Sequence, residues 1–112
     1  MNSGVKVVQL TGLLTGSSAK QLRYQIDDLV TTGINIVLLD LENVTFIDSS
    51  GLGALISAQR IARMANCKLF ICSINNQVQM LFELNRMERL FEIFADRDEF
   101  LKRFDSPELT AK

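Results

Sequence analysis

Val37-Leu38-Leu39-Asp40-Leu41-Glu42-Asn43-Val44-Thr45-Phe46-Ile47-Asp48-Ser49-Ser50-Gly51-Leu52-Gly53 changes character twice along its length. Its first part belongs to an almost unbroken apolar run, Ile34 to Leu41. Such a run forms a strand buried on both faces, as in a sheet covered by helices. Its last part, Asp48 to Gly53, is polar and bears two glycines. It leads into Leu52, Leu55, Ile56, Gln59, Ile61, Ala62 and Met64, whose spacing predicts a helix ending near Ala65-Asn66. Glu42 to Ile47 reads as the connection between strand and polar segment.

The same alternation extends in both directions. Val5 to Leu10 is short and β-branched between Gly4 and Gly12, which predicts a strand. Thr11 to Gly16 is turn-rich. Ser18 with Gln21 three residues on has the pattern of a capping box. Leu22, Ile26, Leu29 and Val30 then carry a helix to about Thr32, stopped by Gly33. After the central segment, Lys68 to Ile74 predicts another buried strand. Asn75 or Asn76 is placed to cap a helix with Val78, Leu81, Phe82 and Leu84 turned inward. Leu90 to Phe94 predicts a short strand, and Asp96 caps a last helix through Phe100, Leu101 and Phe104. The expected fold is therefore α/β: one domain over residues 1–104, a four-stranded, mostly parallel sheet and about four helices. Residues 105–112 read as a C-terminal tail.

Composition narrows the function. The chain has 112 residues, enough for one domain with a real core. Twelve basic residues face 13 acidic ones, for a net charge of −1. Nucleic-acid binders draw most of their affinity from phosphate contacts and carry a basic excess, so no nucleic-acid partner is expected. No stretch reaches the roughly 20 apolar residues of a membrane span, and the first residues lack the pattern of a secretion signal. A cytoplasmic protein without a membrane partner is expected. Cys67 and Cys72 stand an odd number of positions apart around a strand, hence on opposite faces as two small core residues. Histidine is absent, which removes the commonest general base and transition-metal ligand. Neither a cofactor, a metal nor catalytic residues are expected.

Asp48 to Gly53 is the one segment that carries chemistry. Sites in α/β proteins gather where strands end and helices begin. A helix start offers unpaired N–H groups and a partial positive charge, both favourable to phosphate. An exposed serine there can accept a phosphoryl group without unfolding anything. Plain N-capping by Asp48, Ser49 or Ser50 is the alternative, and the two roles are compatible. A hydrolase elbow needs Gly-x-Ser-x-Gly and a histidine, and both are missing. Gly51-Leu52-Gly53 lacks the third glycine of a dinucleotide fingerprint, and no phosphate-loop lysine follows.

Val37 to Gly53 resembles the signature of the STAS domain family, and within it is most similar to bacterial anti-sigma factor antagonists. Leu10-Thr11-Gly12, Val78 to Leu84 and Leu90 to Phe94 extend the likeness over nearly the whole chain. The resemblance implies a non-enzymatic module that binds an anti-sigma factor with serine kinase activity and so releases a sigma factor. It implies that phosphorylation of the first serine of Asp-Ser-Ser, Ser49 here, abolishes binding, and that a metal-dependent serine phosphatase restores it. Ser50 is the second candidate. The partner face is expected at Leu13, Leu14 and Thr15, at Asp48, Ser49, Ser50, Gly51, Leu52 and Gly53, and on the exposed side of the second helix at Gln59, Arg60 and Arg63. Leu13-Leu14 could equally be core, and the two arginines a solvated face.

Two departures from the family pattern stand out. The acids usual after the early strand are replaced by Gly12-Leu13-Leu14-Thr15, which makes the loop less negative and more apolar. The family's additional N-terminal hairpin strand is not expected before Val5, which leaves a sheet edge open and predicts dimerisation through Val5 to Leu10. Two other functions fit less well: a constitutive STAS scaffold or adaptor in a signalling assembly or transporter, and a nucleotide-binding protein.

Overall fold

The computed structural model describes residues 4–104; the expected tail at 105–112 lies outside them. The elements are β1 (Val5–Leu14), α1 (Gly16–Thr31), β2 (Ile36–Ile47), α2 (Ser49–Met64), β3 (Lys68–Cys72), α3 (Asn76–Leu84), a 3-10 turn (Met87–Arg89), β4 (Ile93–Phe94) and α4 (Arg97–Phe104). The four strands lie in the order β1-β2-β3-β4, and every pairing is parallel. Each strand passes to its neighbour through a helix, and α1, α2 and α3 pack against one face. The α/β expectation holds.

Strand alternation divides the core in two. Val37, Leu39, Leu69 and Ile71 point to the first face and pack with Leu22 and Ile26 of α1, Leu55 of α2 and Phe82 of α3. Leu38, Phe70, Cys72 and Phe94 point the other way and are covered by Phe100 of α4. Phe70, Phe94 and Phe100 meet edge-on or tilted, with ring centres 5.4–5.8 Å apart. Asp40 lies buried on this second face, where Arg97 donates to its carboxylate at 2.5 Å and the Glu42 N–H at 2.9 Å. Cys67 and Cys72 are free, buried and in separate clusters, as their odd spacing requires. Burial raises both thiols above the usual range.

Several boundaries depart from the sequence reading, β3 among them, which ends at Cys72 rather than Ile74. Thr11 to Leu14 is strand, and so is Glu42 to Ile47, because the two segments pair with each other: Gly12 opposite Val44 and Leu13 opposite Phe46. Register shifts after Gln9 and Gly12 absorb the irregularity, with Gly12 at φ +74°. Turn-like composition yielded to pairing between distant segments. Helix α1 starts at Gly16, not Ser18. Ser18 sits inside the first turn, where its Oγ accepts from the Thr15 N–H at 2.9 Å, so the capping pair is Thr15 with Ser18 rather than Ser18 with Gln21. Strand β4 is only two residues, since Met87–Arg89 forms a 3-10 turn first. Leu84 is exposed, because two residues after the buried Phe82 it falls on the opposite side of α3.

Candidate functional site

β2 ends at Ile47, and the chain turns directly into α2. Asp48 is the N-cap: its backbone is extended and its Oδ1 accepts from the Gly51 N–H at 2.9 Å. Its carbonyl accepts the first helical bond, from the Leu52 N–H at 2.9 Å. Capping thus falls to Asp48 alone. Ser49 and Ser50 are the first two helical residues, and both are exposed. The acid beside them is Asp48, whose carboxylate is engaged by the Gly51 N–H.

Gly51 is buried, and its role is steric. A Cβ at this position would stand 2.1 Å from the Leu14 carbonyl oxygen and 2.8 Å from the Ile47 methyl. Glycine alone lets the first turn of α2 press against the end of β1. Gly53 differs: nothing lies within 4 Å of a Cβ built there. The rim around Ser49 is set by neighbouring ends. Thr15 begins α1, and Thr45 Oγ1 donates to the Gly12 carbonyl at 3.3 Å. Asn75 caps α3 by accepting from the Val78 N–H at 2.8 Å, and it donates through Nδ2 to the Val44 carbonyl at 3.0 Å. That side chain ties the start of α3 to β2, the strand that leads into Ser49.

The expected partner face separates into residues that are available and residues that are not. Leu13 is 58% exposed and Thr15 is half-buried. Ser49, Ser50, Arg60 and Arg63 are exposed, while Asp48, Leu52 and Gly53 are half-buried. Three residues belong to the interior. Leu14 points into the first-face core at 3% exposure, because pairing opposite Ile47 fixes its side. Gly51 is sealed by Leu14 and Ile47. Gln59 is buried, and its Nε2 donates to the Leu90 carbonyl at 2.5 Å, a tie between α2 and the approach to β4. Sequence reasoning missed Phe46, which is 53% exposed directly across from Leu13. A large apolar residue between Thr45 and the buried Ile47 was the available signal. Together Leu13 and Phe46 make an apolar edge three residues from Ser49.

Among the described residues, no helix is long and apolar enough to cross a membrane, and no three His, Cys, Asp or Glu side chains gather as a metal site. What remains is an all-parallel α/β domain that presents a serine on a capped helix start beside an exposed apolar edge.

The chain belongs to the STAS domain family, whose model matches residues 1–100. It is 26% identical over 92 residues to the anti-sigma F factor antagonist of Paenibacillus polymyxa, covering 81% of this chain and 79% of that one. Its fold is similar to the unphosphorylated anti-sigma factor antagonist SpoIIAA, with a TM-score of 0.70, 18% identity and coverage of 95% and 94%. It is also similar to a sulfate transporter family protein from Wolinella succinogenes, with a TM-score of 0.79, 19% identity and coverage of 96% and 88%. At these identities the two structures speak to the fold alone.

Proposed function

We propose that this STAS domain is an anti-sigma factor antagonist, a binding module that performs no catalysis, and that Ser49 is its phosphorylation switch. The observation that carries the reading is the placement of Ser49. It is exposed on the first turn of α2, while Asp48 does the capping and Gly51 the packing. A phosphoryl group on Ser49 therefore disturbs neither. It adds a charge of about −1.5 to −2 beside Asp48 and next to Leu13 and Phe46. A partner that covers this apolar edge in the unmodified form then meets repulsion and a desolvation cost, with the fold unchanged.

The partner of this reading is an anti-sigma factor with serine kinase activity, bound through Leu13, Thr15, Phe46, Ser49, Ser50 and the exposed arginines Arg60 and Arg63. A metal-dependent serine phosphatase resets the switch. The work is done in the cytoplasm, where kinase, phosphatase and sigma factor meet. The name of the Paenibacillus relative supports the class. The test is incubation with ATP and anti-sigma-type kinases from the same genome, followed by peptide mass spectrometry. One phosphate on Ser49, with loss of kinase binding, is the expected result. Tight binding by a kinase that leaves Ser49 unmodified replaces the switch with a constitutive scaffold.

The same proposal includes self-association. β1 is an edge strand of the described sheet, and Val5 is 41% exposed on it. Unpaired edges recruit strands from other chains. A dimer through Val5 to Leu10 predicts a mass in analytical ultracentrifugation that falls on dilution; a monomer at every concentration overturns it.

A further inference from the structure

We propose a second binding site, for a free amphiphilic anion with an apolar body and one carboxylate or phosphate head, in the cleft at the far end of α2 from Ser49. The cleft is an open groove of about 600 Å³ between the end of α2, the start of β3 and the end of α4. Small-molecule sites span roughly 300–1,000 Å³. At 1.5 Å per helical residue, Arg63 stands about 21 Å along the axis from Ser49, and it is the residue that the cleft shares with the proposed partner face.

The lining has two parts. Leu90 and Phe104 give it apolar surface, and Leu69, Phe70 and the buried Cys67 line it from the edge of β3, with Leu69 and Phe70 on opposite faces of that strand. Burial pushes the Cys67 thiol up, so it stays neutral and adds no negative charge. The rim is cationic: Arg63, Lys68 and Arg103 face a single acid, Glu92. Glu92 is already engaged by Arg103 at 2.7 Å. Among the described residues Arg63 and Lys68 have no carboxylate within ion-pair distance.

Arg63 stands in the last turn of α2, at its partly negative end, where two of the carbonyls have backbone partners. The Ala62 carbonyl accepts from the Ala65 and Cys67 N–H groups, and the Arg63 carbonyl from that of Asn66, which turns left-handed at φ 60°. These helix-end carbonyls are satisfied by the chain itself. Gln59 is likewise spent on Leu90. Two uncommitted cations beside apolar surface select a ligand of opposite charge with an apolar tail.

The test is a titration of the full chain with dodecanoate below its micelle concentration, followed by ¹H–¹⁵N spectra. Saturable shifts are expected at the amides of Lys68, Leu69, Leu90 and Phe104. The double variant Arg63→Glu/Lys68→Glu is expected to weaken binding by about tenfold or more, since charge-assisted contacts carry the head group. Both side chains are exposed. Should that double variant not fold, as judged by its thermal melt, Arg63→Gln and Lys68→Gln read the same effect singly. Dodecyltrimethylammonium, with the same tail and opposite charge, is expected not to bind, and phosphatidylglycerol vesicles not to sediment the protein. Absence of saturable shifts, equal binding of the cationic amphiphile, unchanged affinity in the charge variants, or binding to vesicles alone would each overturn the proposal.

Discussion

The two ends of α2 are built by opposite means. At its start, a local cap and one distant backbone contact suffice: Asp48 caps, Gly51 closes against Leu14 of β1, and Ser49 stands clear between them. At its end, Gln59, Arg63 and Cys67 meet Leu90 and Arg103, which arrive from far along the chain. The first end is an arrangement of backbone with one free hydroxyl; the second is a gathering of side chains. The contrast teaches that a modification site needs little beyond a local cap and one close backbone contact, whereas a cleft needs several elements docked together.

Substitutions along α2 break or sharpen that contrast. Gly51→Ala has the largest expected effect. Its Cβ overlaps a backbone oxygen that cannot swing aside, so about 2–3 kcal/mol of stability should be lost in chemical denaturation. Wild-type stability in this variant would mean that the start of α2 is not set by close packing. Gln59→Ala follows, because it strands the Leu90 carbonyl at the other end; a loss of about 1–2 kcal/mol is expected. If Gln59→Ala costs nothing, the far end is not held by side chains as described.

Asp48→Ala removes the cap and should cost about 1 kcal/mol, read from the same unfolding curves. Gly53→Ala reverses the sign. With open space around its Cβ and helical backbone, it should gain about 0.5–1 kcal/mol, the opposite of Gly51 two residues earlier. Ser49→Ala should change stability by less than about 0.5 kcal/mol. A larger loss there would make Ser49 a structural residue and weaken its assignment as a switch.

Much of the first end was legible in the sequence. Continuous apolar composition marked β2 and β3, three- and four-residue spacing marked the helices, and Asp48-Ser49-Ser50-Gly51 marked the joint. Leu14 and Gln59 were not legible as interior. Their side is decided by pairing with Ile47 and by Leu90, neither of which is near in sequence. Thr11 to Leu14 and Glu42 to Ile47 each look like connections alone and become strands only opposite each other.

By itself the sequence determined the local devices: which runs are apolar on which period, where a helix can be capped, and where only glycine fits the chain's course. It thereby determined the parallel α/β order and the serine at the start of α2. Tertiary structure alone decided what those devices face. It paired Leu13 with Phe46 beside Ser49, turned Gln59 inward, and brought Arg63 and Lys68 together over Phe104. The physical reason is range. Capping and helix periodicity act over three or four residues, whereas burial and strand pairing depend on segments tens of residues apart, and a single sequence does not display those meetings.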